Sequence, residues 1–382
     1  MHLLGVRTNS ASPAYHAPLV IRSAMRGALL ALLAAGCTER EPTRPTPPGC
    51  TVALRSGCWT QLGLEGEWVT AVASTEWGVY AGTHDNGVFW LDKASYQWVR
   101  LGLDHAIVSS IVFVPGPTKR LLVGMMPYAQ ETTAAAVFAT EDHGRTWKPS
   151  DGGLAAQHGN RAWASSLAVD PANPDRLYMG QSYPVLRSDD GGRSWAYVWL
   201  NADMFGGGVN AILVARCGDG HVWAAGQTAF FTAFVLRSGD WGDTWEFIDP
   251  MPRVENSVSA LAEDLDDPAS LWAGIGGMQG GAMRSDDGGV TWVWSLRAGW
   301  VYGLITLPGV VYAVSLEDFR PPPDGQGPPL SDLGFYRTRN GGSSWDTLAV
   351  PTGARGAQAV TMDHEGGFLI GTRGSGVWRV SP

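Results

Sequence analysis

Nine residues at positions 187–195, RSDDGGRSW, bring two carboxylates, two glycines, a hydroxyl group and an indole close together. Adjacent carboxylates beside a flexible turn suit a metal-binding loop, an acid–base pair for hydrolysis, or a turn stabilised by Asp side chains. Whether the stretch is unique decides among these alternatives, because a catalytic centre is not built several times around one chain.

The stretch recurs along the chain. Clear copies end at Trp147, Trp195, Trp245, Trp292 and Trp345, and fainter ones end at Trp59 and Trp98. Successive copies lie about 50 residues apart except at the N-terminus, and a fixed period of this length is typical of propeller blades. The sequence therefore contains seven structural units.

Each unit contains the pattern of four short strands. Residues 165–198 give SLAV, RLYMG, PVLRS and SWAYV, separated by Pro, Asn, Asp and Gly turns. The last unit has three such strands, and the segment at Trp59 has none before it, so the N-terminal strand is expected to close the last blade. We predict an all-β fold with a single seven-bladed β-propeller over residues 58–382, because closure leaves no open sheet edge.

The repeated pattern Ser/Thr-x-Asp-x-Gly-x-Ser/Thr-Trp resembles the Asp-box, or BNR repeat, of the sialidase-like propellers. Sortilin-type receptor domains, xyloglucanase-type glycosidases and photosystem II assembly factors share this resemblance, so it implies the fold more than an activity. It assigns structural roles to Asp142, Trp147, Asp190, Trp195, Asp240, Trp245, Asp287, Trp292, Asn340 and Trp345.

A structural role suits these acidic turns better than chemistry. Short Asp side chains bond to nearby backbone amides, and Asn replaces Asp at position 340. One such loop offers too few oxygens for the six to eight that calcium takes. The sequence therefore predicts no metal site and no cofactor.

Residues 1–36 have the pattern of an export signal. The segment MRGALLALLAAGC resembles a bacterial lipoprotein signal, which implies acylation of Cys37, and natural translation starts at Met1 or Met25. The apolar run is shorter than the ~20 residues of a membrane span. We therefore expect an exported lipoprotein of the cell envelope, on the periplasmic side of a membrane or at the cell surface.

Residues 37–57 are polar and rich in proline, as expected for a tether between the anchor and the propeller. Cys50 and Cys58 lie where the chain enters the ring. In an exported protein we expect them to form a disulfide, with two free thiols as the alternative. Cys217 is left over, in a turn.

The charge disfavours nucleic acid as a partner. The net charge is −9, and residues 1–36 contribute three arginines and no acidic residue, so the remainder is more acidic still. No basic run offsets this balance.

The acidic turns join third and fourth strands, so the loops between second and third strands and between blades lie on the opposite face. By the resemblance, that face carries the sites of sialidase-like propellers. Arginines there suit a carboxylate, phosphate or sulfate group. The ligand-binding candidates are Arg161, Tyr183, Arg253, Arg297, Arg320, Arg355 and Arg373.

Carboxylates on the same face are the only catalytic candidates, namely Glu255, Glu317 and Asp318. The last two lie in a long insertion, residues 316–332 of the sixth blade, which has the composition of a binding loop or lid. None of these three carboxylates is assigned a definite catalytic role.

Three functions follow from the resemblance. A sialidase is expected to have an Arg-Ile-Pro motif and six blades, and this sequence has neither. A xyloglucanase-type enzyme builds its cleft between two propellers, and one is predicted here. The sequence favours a monomeric, lipid-anchored, non-catalytic propeller that binds a protein, peptide or glycan and contacts the membrane only through its anchor. A glycoside hydrolase is the alternative.

Overall fold

The computed structural model describes residues 57–126, 135–154, 163–182, 184–200, 207–230, 232–248, 257–277, 280–320 and 330–381, without the side chains of residues 318–320, 330 and 331. The predicted signal segment, Cys37, Cys50 and most of the predicted tether lie outside these residues. No helix in the described part is long and apolar enough to cross a membrane.

The described residues form seven antiparallel sheets of four strands each. Blades 1 to 3 contain β2 Val69–Thr75, β3 Gly78–Thr83, β4 Val88–Asp92, β5 Gln97–Gly102, β6 Ile107–Val114, β7 Arg120–Met126, β8 Val137–Thr140, β9 Lys148–Pro149, β10 Ser166–Val169, β11 Leu177–Gly180, β12 Val185–Ser188 and β13 Ala196–Trp199. Blades 4 and 5 contain β14 Gly208–Val214, β15 Val222–Gln227, β16 Ala233–Ser238, β17 Glu246–Ile248, β18 Ser257–Glu263, β19 Leu271–Gly276, β20 Gly281–Ser285 and β21 Val293–Arg297. Blades 6 and 7 contain β22 Trp300–Leu307, β23 Val310–Arg320, β24 Leu330–Thr338, β25 Asp346–Thr347, β26 Ala357–Met362, β27 Phe368–Thr372, β28 Val377–Val380 and, from the N-terminal side, β1 Trp59–Gly63.

The sheets close into a ring. The first strand of each blade contacts the first strands of both neighbouring blades, in the cycle β2, β6, β10, β14, β18, β22, β26 and back to β2. These strands line the axis. The predicted all-β, seven-bladed propeller is thereby confirmed.

The N-terminal strand completes the last blade, as predicted. β1 pairs with β28, with Trp59 opposite Val380 and Gly63 opposite Val377. Beside this seam, the amide of Ser381 donates to the carbonyl of Cys58 at 3.1 Å. Cys58 is disulfide-bonded, and its expected partner, Cys50, lies outside the described residues.

The second strands form the most buried layer of each blade. Every residue of β3, β19 and β27 is buried, because each of these strands has sheet neighbours on both sides and adjacent blades on both faces. Their sequences are accordingly continuous apolar runs instead of alternating ones. Large rings fill the seams between blades, as with Trp272 and Trp195.

The acidic turns hold their shape through hydrogen bonds to the Asp carboxylate. In blade 3, Asp190 Oδ1 accepts from the Ser194 amide at 2.9 Å and from the Ser188 hydroxyl at 2.7 Å, while Oδ2 accepts from the Ser194 hydroxyl at 2.5 Å. The Thr146 and Thr244 hydroxyls make the same bonds in blades 2 and 4, and they lower the pKa of Asp142 and Asp240 to about 2.

Asn340 preserves this turn with one bond reversed. Its Oδ1 accepts from the Ser344 amide at 3.0 Å, and its Nδ2 donates to the Ser344 hydroxyl at 2.8 Å. A hydroxyl group can accept as well as donate, so the amide replaces the carboxylate without leaving an unpaired group.

The same turns join neighbouring blades. The residue after each central Asp or Asn has a positive φ, for example 73° at Gly191 and 63° at Gly341. In blades 3 to 6 its carbonyl accepts a bond from the preceding blade: for example, Arg187 Nη1 donates to Trp241 at 2.9 Å, and Trp223 Nε1 donates to Gly288 at 2.9 Å. The turns are therefore part of the joints between blades.

Candidate functional site

A ring of hydroxyl groups surrounds the axis near the face opposite the acidic turns. In six blades the pairing of first and second strands skips one residue of the first strand. Where this residue is Ser or Thr, its hydroxyl donates to a carbonyl of the next blade. The bonds run from Thr70 to Val108 at 2.6 Å, from Ser109 to Ala164 at 2.6 Å, and from Ser259 to Val301 at 2.6 Å. Ser165, just before β10, bonds to Val209 at 2.5 Å.

Blades 6 and 7 depart from this ring. The skipped residues there are Tyr302 and Gln358. Blade 4 also lacks the hydroxyl group, but its skipped residue, Asn210, still bonds to the next blade, since its Nδ2 donates to the Ser257 hydroxyl at 2.7 Å. Tyr302 is largely buried, and burial raises the pKa of its phenol to about 12. It is therefore neutral at physiological pH. A small polar residue bonds to the next blade at this position in five of the blades, and its exchange for Tyr302 and Gln358 in the adjacent blades 6 and 7 identifies that sector as a functional candidate.

An aromatic and basic cluster lies at the same sector. Trp68, just before β2, forms a β-bridge with Arg373, just after β27. The Arg373 guanidinium lies 4.0 Å from the centre of the Trp68 ring, and the His84 ring stacks on the same indole at 4.2 Å and 6°. Cation–π contact and ring stacking together fix the direction of Arg373.

Burial and charge tune this cluster. Burial lowers the pKa of Arg373 below its ordinary value, and the nearby Tyr302 phenol acts in the opposite direction. His84 also contacts Asp85, with Nδ1 and Oδ1 3.0 Å apart. Arg373, in the loop of blade 7, and Tyr302, on the inner strand of blade 6, are therefore close enough to influence each other electrostatically.

Trp300 supplies the exposed ring of this site. It is the first residue of β22 and is 37% exposed, and its ring centre lies 5.8 Å from that of Tyr302. Two other tryptophans occupy similar positions in their blades. Trp68 lies just before β2, and Trp163 lies shortly before β10. The exposed indole of Trp300 favours ligands with flat apolar faces.

Arg355, one of the ligand-binding candidates of the sequence, lies close to Arg373. Its Nη1 lies 3.1 Å from the position that a Cβ on Gly374 would occupy, next to Arg373 in the chain. Gly374 has a φ of 96°, where a larger side chain would be strained and would displace the guanidinium. The structure therefore brings together Arg355 and Arg373.

Glu317 serves the architecture of the sixth blade. Its carboxylate accepts from the Gly299 amide at 2.8 Å, the Ser315 hydroxyl at 2.6 Å and the Tyr336 hydroxyl at 3.0 Å. These bonds hold the base of the long β23–β24 hairpin, whose stem pairs Glu317 with Asp332 and Arg320 with Leu330. A carboxylate with three donors is poorly placed to act as an acid or a nucleophile.

The other predicted residues are not brought to this cluster by the described structure. Arg297 ends β21, the strand farthest from the axis in blade 5, and its guanidinium lies 3.5 Å from the centre of the Trp294 ring. Only the backbone of Asp318 and Arg320 is described. Arg161, Tyr183, Arg253 and Glu255 lie outside the described residues.

Sequence reasoning missed Trp68 and Tyr302. Aligning the first strands would have found them, because Tyr302 occupies the Ser/Thr position and Trp68 stands two residues before Thr70 as Trp300 stands before Tyr302. No group of three or more His, Cys, Asp or Glu side chains in the described part could hold a metal ion.

Comparison with known proteins shows relatives among glycan-acting propellers. No family model matches the chain. Over 293 residues it is 23% identical to a xyloglucanase from a Paenibacillus species, which covers 70% of this chain and 25% of the relative. Over 258 residues it is 29% identical to a probable oligoxyloglucan-reducing end-specific xyloglucanase from Neosartorya fischeri, covering 64% and 27%. The chain spans about a quarter of the length of these curated relatives.

Solved structures share the propeller. A GH74 enzyme from Niastella koreensis superposes with a TM-score of 0.63 at 17% identity, over 84% of this chain and 53% of that one. YCF48 from Cyanidioschyzon merolae superposes with a TM-score of 0.59 at 13% identity, over 85% and 98%. At these identities the likeness concerns the fold alone.

Proposed function

We propose that this chain is an exported, lipid-anchored propeller that binds a glycan of the xyloglucan type on the face opposite the acidic turns, without cleaving it. The observation that carries the proposal is the break in the hydroxyl ring at Tyr302, beside the exposed Trp300 and the fixed Arg373. In this sector the small polar residue of the repeat is exchanged for groups that suit a ligand.

The chemistry of this sector favours a sugar chain. The C–H faces of a pyranose ring pack on exposed aromatic rings such as Trp300. Sugar hydroxyls need both donors and acceptors, which Arg373 and Tyr302 supply. The names of both curated relatives specify xyloglucan as the polysaccharide on which those proteins act, which supports a related ligand here.

The non-catalytic part of the proposal rests on Glu317. Hydrolysis of a glycosidic bond ordinarily uses two carboxylates facing each other across the bond. Glu317 is occupied by three donors, and the described cluster around Tyr302 is aromatic and basic.

The anchor is proposed from the sequence. Acylation at Cys37, followed by the polar, proline-rich residues 37–57, would hold the propeller at the cell envelope, where it meets glycans. Labelling with a palmitate analogue tests this step: the label is expected on the natural chain, and equal labelling of Cys37→Ser would contradict it.

Binding is tested by calorimetry with xyloglucan oligosaccharides. Removing the Trp300 ring is expected to weaken binding at least tenfold, because loss of one stacked ring costs about 1.4 kcal/mol or more. Phe247→Ala is the matched control, since Phe247 is an exposed ring on the outermost strand of blade 4. Equal affinity of Trp300→Ala and the natural chain would refute the site.

Glycoside hydrolysis is the second candidate, favoured by the names of the curated relatives. Incubation with xyloglucan and a panel of fluorogenic glycosides, including sialosides, separates the two functions. Turnover that disappears in Glu255→Gln or Asp318→Asn would establish the hydrolase and end the binding-only proposal.

A further inference from the structure

Blade 4 departs from the repeat on the opposite face, at the residue before the central Asp of its acidic turn. In blades 3 and 5 this residue is an aspartate that pairs with an arginine of the third strand: Asp189 with Arg187 at 3.0 Å and Asp286 with Arg284 at 2.8 Å. Blade 4 has Gly239 in this position. The missing side chain leaves space at this turn.

The space is a cavity of about 350 Å³ lined by His221, Arg237, Gly239, Thr244, Trp245 and Glu246. A Cβ built on Gly239 would lie 3.8 Å from His221 Nε2. A side chain at position 239 would therefore extend towards the imidazole and fill the cavity.

A second departure lies next to the first. Trp241 stands where three other acidic turns have Gly191, Gly288 or Gly341, and it keeps their positive φ, at 57°. A non-glycine residue in the left-handed region costs roughly 1–2 kcal/mol. Blade 2 also has a non-glycine residue at this position, His143, with a φ of 65°. The Trp241 ring approaches to 3.3 Å of a Cβ built on Gly220, beside His221.

The charges around the cavity are already balanced. Arg237 Nη2 pairs with Glu246 Oε2 at 2.7 Å, and His221 Nδ1 lies 3.1 Å from Asp219 Oδ1. A charged ligand would have to disrupt one of these pairs. A neutral polar ligand can bond to the outer edges of both.

The lining matches a single sugar ring. Arg237 offers donors, Glu246 offers acceptors, and the Trp245 indole offers an apolar face while its Nε1 is bonded to Gly242 at 3.0 Å. Alternating donors and acceptors around an apolar face are what a hexopyranose requires. The volume lies at the lower end of the range of ~300–1,000 Å³ for ligand sites, which favours one ring over a chain.

We propose that this cavity is a second binding site, specific for one neutral hexopyranose unit. It lies on the acidic-turn face and is independent of the glycan site proposed above. Blade 4 has Gly239 at the position where blades 3 and 5 have an aspartate paired with an arginine of the third strand.

Saturation-transfer NMR with methyl β-D-glucopyranoside, methyl β-D-galactopyranoside and methyl α-D-mannopyranoside, each at ~20 mM, tests the proposal. At least one glycoside is expected to receive saturation from the natural chain. Gly239→Asp, made in the Trp300→Ala background so that the glycan site gives no signal, should abolish the remaining signal by placing in the cavity the side chain that blades 3 and 5 carry. Because their turns accept aspartate at this position, the variant should remain folded, which near-ultraviolet circular dichroism verifies.

Two controls separate this site from the other face. Asp189→Asn changes the equivalent position of blade 3 and should retain the signal, as should Trp300→Ala. Absence of signal with the natural chain, or an unchanged signal in Gly239→Asp, overturns the inference. Loss of signal in Trp300→Ala would overturn it too, because the probe would then be bound at the glycan site.

Discussion

The paired carboxylates of blade 3 should contribute very differently to stability when each is removed. Asp190→Ala takes away the acceptor for the Ser188 hydroxyl and for the amide and hydroxyl of Ser194. A net value of about 0.5–1.5 kcal/mol for each bond, reduced because water reaches this turn, gives a loss of about 2 kcal/mol. Asp190→Asn should cost less than about 1 kcal/mol, because Asn340 holds the same turn in blade 6.

Asp189→Ala is the matched control for that experiment. Asp189 is exposed and pairs with Arg176 and Arg187, and surface ion pairs contribute about 0–1 kcal/mol. Urea denaturation followed by tryptophan fluorescence gives the free energy of unfolding of all three variants. The structural account of the turn is refuted if Asp190→Ala is as stable as Asp189→Ala.

Three further predictions concern other elements. The pKa of Asp142 and Asp240 is about 2 in the folded chain, below the ordinary value. Their contribution to stability is therefore present above about pH 4 and is lost as the pH falls towards 2. A urea midpoint that does not change between pH 4 and pH 2 would contradict this prediction. Glu317→Gln should keep ligand binding and cost less stability than Glu317→Ala, because the amide oxygen can still accept from Gly299 and Ser315; equal losses in both variants would count against the anchoring role. Cys58→Ser should lower the free energy of unfolding by about 2–4 kcal/mol by releasing the disulfide beside the closing strand β1, and unchanged denaturation under oxidising and reducing conditions would argue against it.

The fold could be predicted because each blade repeats the same local rules. The acidic turns show where the third and fourth strands of each blade meet. The number of tryptophans that end the repeated stretch gives the number of blades. The closing strand followed from the unequal ends of the repeat, and the pairing of Trp59 with Val380 agrees.

The site could be predicted only in part, because its groups come from distant parts of the chain. Arg355 and Arg373 were recognised as loop arginines, but the stack of Arg373 on Trp68 depends on the meeting of the first and last blades. The saturation of Glu317 by three donors depends on side-chain directions within the β23–β24 hairpin. Neither the stack of Arg373 on Trp68 nor the bonds to Glu317 can be predicted from the spacing of the strands alone.

The role of the acidic turns is sharper than the sequence suggested. Their carboxylates shape the turn, and their carbonyls accept bonds from the preceding blade. Gly239 and Trp241 are the exceptions that turn this architectural face into a candidate binding surface in blade 4.

The most direct test of the proposed glycan site is the affinity of Tyr302→Ser for xyloglucan oligosaccharides. Serine restores in blade 6 the residue that Ser259 provides in blade 5, where the hydroxyl bonds to the next blade, so the variant should fold. The account predicts at least a tenfold loss of affinity in a variant that near-ultraviolet circular dichroism shows to be folded, with a lower urea midpoint because a largely buried ring is removed. Full affinity in folded Tyr302→Ser would contradict the claim that the break in the hydroxyl ring is the binding site.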